Sequence, residues 1–148
     1  MLSKDLIFVD LNGKTSEDVL SSLVDYLVAT NIVMPEYKTA ILEREAEYPT
    51  GIYTDGVNVA IPHADYQVVN EDAIAVAVLK EPVKFARMED PDSLIDVSIV
   101  IMLAIVEPHG HIEKLAKVSD LVMNQELLSK VVQCSGKDEI YDLLMDKL

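Results

Sequence analysis

The chain has almost no cysteine: Cys134 stands alone among 148 residues. No intrachain disulfide can form, and a reducing compartment fits such a chain best. Basic residues are also scarce, 12 Lys and Arg against 26 Asp and Glu, for a formal net charge of −14. With no local Lys/Arg cluster to offset it, that balance repels nucleic acid and anionic membranes and favours a partner with a basic face. Long apolar runs are missing too. The longest, Ile99 to Val106, is bounded by Ser98 and Glu107 and falls far short of the roughly 20 residues that a membrane helix needs. The opening Met-Leu-Ser-Lys-Asp-Leu-Ile-Phe-Val-Asp lacks the apolar stretch of a signal peptide. A soluble, cytoplasmic protein without direct membrane insertion is expected. Walker A, GxGxxG, GxSxG and HExxH sequences are absent, as are a cysteine cluster, an internal repeat and a domain linker.

Half of the residues are hydrophobic, so the chain can bury a core of its own. Leu6 to Leu11 reads as a first strand. Thr15 and Asp18 form a capping-box pattern ahead of a helix with Val19, Leu20, Leu23, Val24 and Leu27 at helical spacing. Pro35 suits the first turn of a second helix, which Pro49 must end. Residues 50–56 read as a loop and Val57 to Ile61 as a short strand. Ala73 to Leu79 and Val97 to Val106 are near-continuous Val/Ile-rich runs of the kind that form central strands buried on both faces. Residues 80–96 between them read as a loop or a short irregular strand. From His111 the chain turns helical, with apolar stripes at Ile112/Leu115/Val118/Val122, Leu127/Leu128/Val131/Val132 and Ile140/Leu143/Leu144. The expected fold is a single α/β domain over residues 1–148, with a mixed central β-sheet and helices on both faces.

Three places in this pattern can carry chemistry. His63 follows Ala60-Ile61-Pro62, where proline fixes its own φ and holds Ile61 extended, so an imidazole is presented rigidly at a strand end. There it can serve as nucleophile, proton shuttle or metal ligand, or simply turn the chain. Arg44 shares a helix face with Tyr37, Ile41 and Tyr48, which points it toward the body of the protein and calls for an anion. The plainer alternative is a cation favoured near a helix C-terminus, with Glu43 or Glu45 beside it. His109 and His111 sit between the last apolar run and a helix, where free backbone N–H groups attract anions. They can equally cap the helix, or join His63 in a zinc site. Cys134 has no phosphate loop before it and is not expected to be catalytic. Asp65 can orient the imidazole, but exposure is the favoured reading.

Leu42-Glu43-Arg44-Glu45, then Pro-Thr-Gly-Ile at 49–52, then Val-Ala-Ile-Pro-His at 59–63, together resemble the IIA component of the bacterial phosphoenolpyruvate-dependent sugar phosphotransferase system, in its fructose–mannitol superfamily. Ile-Met-Leu-Ala at 101–104 and His-Ile-Glu-Lys-Leu at 111–115 extend the match over nearly the whole chain. The resemblance implies an EIIA type-2 domain of the mannitol/fructose IIA fold. It implies that His63 accepts a phosphoryl group from phospho-HPr and passes it to a cysteine of a IIB component, serving the membrane component IIC indirectly. It gives Arg44 and a second histidine, His111 by its place before Ile-Glu-Lys-Leu, a supporting role, with His109 a further candidate. No cofactor and no metal are implied. The length of the loop between Arg44 and Ile61, with Glu-Tyr-Pro-Thr-Gly and the paired histidines, is similar to the galactitol-type branch and so implies uptake of galactitol or a related carbohydrate. The alternative is a regulatory IIA-like protein of the nitrogen-related type, acting through phosphorylation-dependent protein binding.

Overall fold

The computed structural model describes residues 2–107 and 110–148, with Tyr66, Gly110 and His111 described by backbone alone. Strand β1 (Leu2–Phe8) begins and ends earlier than the sequence pattern suggests. Helix α1 (Ser16–Ala29) starts at the expected capping box: the Thr15 hydroxyl accepts from the Asp18 amide while the Asp18 carboxylate accepts from the Thr15 amide. It ends in a Schellman arrangement, in which Ile32 N–H donates to Leu27 and Asn31 N–H to Val28 with Asn31 at φ 62°. Helix α2 (Tyr37–Glu47) ends before Pro49 as expected, whereas Pro35 lies just ahead of the N-cap Glu36 and not in the first turn.

Two short strands follow, β2 (Gly51–Ile52) and β3 (Val59–Ala60). The first lies in the stretch expected to be a loop. β4 (Ala73–Ala86) and β5 (Leu94–Ala104) form a long hairpin that takes up most of the expected loop at 80–96. The register shifts between Val78 and Val83, where Pro82 interrupts the run. Beyond that shift Val83, Phe85, Ile95 and Val97 are buried while Lys84 and Asp96 are exposed, the alternation of a strand with one wet face. Helices α3 (Gly110–Met123), α4 (Gln125–Gln133) and α5 (Lys137–Leu144) complete the chain.

The five strands order as β1-β4-β5-β3-β2. β1 and β3 run parallel to their neighbours β4 and β5, whereas β4–β5 and β2–β3 pair antiparallel. Successive residues of the two central strands point to opposite faces. Ala73, Ala75, Ala77, Val100 and Met102 meet α1 and α2 in one core, and the small alanines leave room for those helices to approach closely. Ile74, Val76, Val78, Ile99, Ile101 and Leu103 meet α3, α4 and α5 in the other. The sheet is therefore mixed, central and covered on both faces, as expected. Ile112 departs from the expected α3 stripe: it is 72% exposed at the first turn, and the apolar contact begins at Leu115 and Val118.

Candidate functional site

The chain reaches His63 through a segment with little freedom. Val59 and Ala60 pair in parallel with Ile99 and Val100 of β5. Leu103 N–H then donates to Pro62 C=O at 3.0 Å, and His63 bridges Leu103. Proline carries no N–H, so at this position the strand contributes only its acceptor. The half-buried His63 ring stands beside the C-terminal end of β5, at the point where the chain leaves the sheet toward α3.

One ring nitrogen is committed. His63 Nδ1 lies 2.9 Å from Ile61 C=O. A carbonyl can only accept, so Nδ1 bears the proton and the lone pair of the neutral ring sits on Nε2. Leu103, which holds the other side of this turn, is itself anchored: the fully buried Tyr37 of α2 donates its hydroxyl to Leu103 C=O at 2.9 Å. Burial pushes the Tyr37 phenol far above its ordinary 10.0, so it stays a donor. The exit from β5 is fixed too, because Val106 N–H donates to the Asp72 carboxylate at 2.7 Å.

Arg44 does not turn inward and takes the plainer of its two expected placements, a cation near a helix C-terminus. It lies in the last turn of α2 with an exposed side chain, its guanidinium 5.6 Å from the ring of Tyr48, which is itself 61% exposed. Tyr37 and Ile41 are buried, but the helix drifts along its apolar face and Pro49 ends it, so Arg44 and Tyr48 emerge beyond the core. The inward partner of this helix end is Glu45, which the sequence offered only as a neighbour of Arg44. Its carboxylate accepts from Thr50 N–H at 2.9 Å and from the Thr50 hydroxyl at 2.9–3.0 Å. Desolvation pushes the Glu45 carboxyl up from its ordinary 4.5, against the opposing pull of the Thr50 donors and the Arg44 charge. Thr50 is buried at 3% exposure, and its carbonyl accepts from Ile61 N–H at 3.3 Å. Only Thr50's neighbourhood to Gly51, in the Pro-Thr-Gly motif, hinted at a constrained backbone.

His111 is the second residue of α3, the element that follows β5 in the chain. Its side chain lies outside the described residues, as does the whole of His109. Among the described residues, no group of three or more His, Cys, Asp or Glu is placed to hold a metal ion. Asp65 is exposed and accepts from the Gln67 amide at 3.0 Å. Cys134 donates to Lys130 C=O, and burial together with Glu139 pushes its thiol up, away from thiolate chemistry. An open cavity of about 490 Å³ lined by Lys14, Leu79 and Lys80 lies away from His63: its wall follows the C-terminal end of β1, whereas His63 lies by Leu103, opposite Ile74 and Leu2.

A rigid imidazole with its lone pair on Nε2, at a strand end, is suited to receiving a transferable group. The model of the phosphoenolpyruvate-dependent sugar phosphotransferase system EIIA 2 family matches residues 1–147. The chain belongs to this family. It is 30% identical over 148 residues to the fructose-specific EIIABC component of Bacillus subtilis, a match covering 97% of this chain and 22% of that protein. It is 31% identical over 98 residues to the galactitol-specific EIIA component of Escherichia coli O6:H1, covering 66% of this chain and 65% of the relative. Ascorbate-specific EIIA components and a mannitol-specific EIICBA component match as well. The chain thus spans about a fifth of the length of the EIIABC relatives, 22% in two cases. The mannitol IIA of Escherichia coli, solved in complex with phosphorylated IIB, shares the fold with a TM-score of 0.79 at 22% identity over 99% of both chains. No helix among the described residues is long and apolar enough to cross a membrane.

Proposed function

We propose that residues 1–148 form one EIIA type-2 unit that carries phosphoryl groups on Nε2 of His63. The observation that carries this reading is the 2.9 Å bond from Nδ1 to Ile61 C=O, which puts the nucleophilic lone pair on the other nitrogen. In the forward step Nε2 attacks phosphorus of phospho-HPr, the phosphohistidine donor. A new N–P bond forms, the donor's N–P bond breaks, and its electron pair returns to the donor imidazole. His63 gains positive character as it is phosphorylated, so the bond from Nδ1–H to Ile61 strengthens along the reaction coordinate, which is how a fixed dipole lowers a barrier. In the second step the cysteine thiolate of a IIB component attacks the same phosphorus, and the electron pair of the N–P bond returns to Nε2.

Transfer of this kind passes through a loose arrangement in which the protein supplies position and charge, not covalent help. Arg44, His111 and His109 are the proposed supports, together with the N–H groups that open α3. An exposed Arg44 suits this role, because the phosphoryl group arrives on the surface of another protein. The net charge of −14 favours a basic face on that partner. The transfer chain would run in the cytoplasm and end at a membrane IIC component. No metal enters the scheme. Galactitol or a related carbohydrate is the proposed substrate class, supported by the loop before Ile61 and by the galactitol-specific relative.

The test is reconstitution. Phosphorylated protein is mixed with IIB and IIC components specific for galactitol, fructose, ascorbate and mannitol, and sugar phosphate is counted, while ³¹P NMR identifies the phosphorylated ring nitrogen. An Nε2 signal with turnover on galactitol supports the whole reading. Turnover on another sugar corrects the substrate alone. Phosphorylation with no turnover on any pair favours the regulatory, nitrogen-related alternative.

A further inference from the structure

Glu45 occupies a position that costs stability. It is a half-buried carboxylate in the last turn of α2, where the helix macrodipole is negative and desolvation disfavours charge. Nothing in the core requires a carboxylate there, since the apolar face of α2 is supplied by Tyr37 and Ile41. What the carboxylate does is hold Thr50, through both its N–H and its hydroxyl. Thr50 C=O in turn accepts from Ile61 N–H, and Ile61 C=O accepts from His63 Nδ1–H. Four residues from three separate segments form one unbroken series of bonds that ends on the imidazole.

We propose that Glu45 and Thr50 are positioning residues that set the tautomer and orientation of His63 by clamping Ile61. They act through Ile61 and not on the phosphoryl group itself. The clamp fixes where the Ile61 carbonyl stands, and that carbonyl decides which ring nitrogen holds the proton. Thr50 is followed by Gly51, whose pairing with Ala60 extends the same attachment by one residue toward β3. The inference rests on His63 being the phosphoryl acceptor, but the ring state it predicts can be read without any phosphate.

The experiment compares the wild type with Glu45→Gln, Thr50→Val and Thr50→Ser. Glu45→Gln keeps the shape and weakens the acceptor. Thr50→Val keeps the shape and both backbone bonds but removes the hydroxyl. Thr50→Ser restores the hydroxyl. Ring ¹⁵N shifts above the imidazole titration report the His63 tautomer, and only three histidines crowd that spectrum. Circular dichroism checks that each variant is folded, and single-turnover transfer from phospho-HPr gives the rate. The expected result is a predominantly Nδ1–H ring in the wild type and in Thr50→Ser. In Glu45→Gln and Thr50→Val the tautomer ratio shifts by about fivefold, the ratio a single ordinary hydrogen bond sets, and the transfer rate falls by a similar factor. An unchanged ring signal in Glu45→Gln and Thr50→Val overturns the proposal even if transfer slows, because the loss would then be merely structural. If Thr50→Val fails to fold, Glu45→Gln decides alone. A shifted ring signal in a protein whose wild type never accepts phosphate keeps the clamp and removes the functional reading instead.

Discussion

Replacing Tyr37 by Phe removes one oxygen from a buried position and tests how the site is tied to the core. The ring is fully buried and stays in place; the change deletes the 2.9 Å bond from the hydroxyl to Leu103 C=O. A neutral hydrogen bond contributes about 1 kcal/mol net, and leaving a buried carbonyl without this donor costs about 1–3 kcal/mol. A destabilisation of about 1–2.5 kcal/mol is expected, and for a domain of this size each kcal/mol lowers Tm by about 2–4 °C. Thermal unfolding followed by circular dichroism should show Tm lower by roughly 2–10 °C, with an unchanged urea m-value to exclude a change in compactness. A second signature follows from the titration. The folded phenol holds its proton above the ordinary 10.0, so Tyr37 adds a stability term that is fully present below pH 10 and lost as pH rises beyond it. Tyr37→Phe should lack that alkaline decline. Because Leu103 N–H also holds Pro62 C=O, hydrogen exchange at Leu103 should quicken as well. A variant with Tm within about 1 °C of wild type and unchanged exchange would refute the claim that Tyr37 anchors the end of β5.

Other outcomes follow from the same contacts. Gly51→Ala would place Cβ 2.5 Å from the Ala86 carbonyl oxygen, a backbone atom that cannot swing away, so urea unfolding should show a loss of about 1–3 kcal/mol. The raised Glu45 carboxyl makes wild-type stability decline as pH rises upward from 4.5, because the folded state keeps a proton that the unfolded state has lost; Glu45→Gln should flatten that slope in pH-dependent melts, and a slope identical to wild type would contradict the desolvation argument. Arg44→Ala should change Tm little, since exposed contacts contribute at most a few tenths of a kcal/mol, yet slow phosphoryl acceptance or shorten the life of the phosphoprotein. Wild-type values for both transfer quantities in Arg44→Ala and in His111→Ala would remove the proposed supporting groups.

The sequence showed the framework where local rules act alone. The Thr15/Asp18 box, the end of α2 before Pro49, and the Val/Ile runs of β4 and β5 are each set by a few neighbouring residues, and each is found in place. Errors arose where tertiary pairing overrides local pattern. β2 exists because Gly51 and Ile52 meet Ala60 and Val59, which no property of the segment 50–56 announces. The far half of the β4–β5 hairpin carried a readable alternation at Val83/Phe85 and Ile95/Val97, obscured by Pro82 and the acidic residues around it. The helix face of Arg44 points inward at Tyr37 and Ile41, but it runs past the edge of the core before the helix ends, which leaves Arg44 as the plainer alternative, a cation near a helix C-terminus. His63 could be placed at a strand end from the Val57–Ile61 pattern and Pro62. The bond that gives its ring a direction, and the Glu45–Thr50 pair behind it, depend on segments brought together only by folding.

The central claim is tested most directly by incubating the protein with phosphoenolpyruvate, enzyme I and HPr and reading its intact mass beside a His63→Ala control. The account predicts one acid-labile phosphoryl group on the wild type and none on the variant. An unmodified wild type in the presence of active upstream components, or equal labelling of His63→Ala, would contradict it.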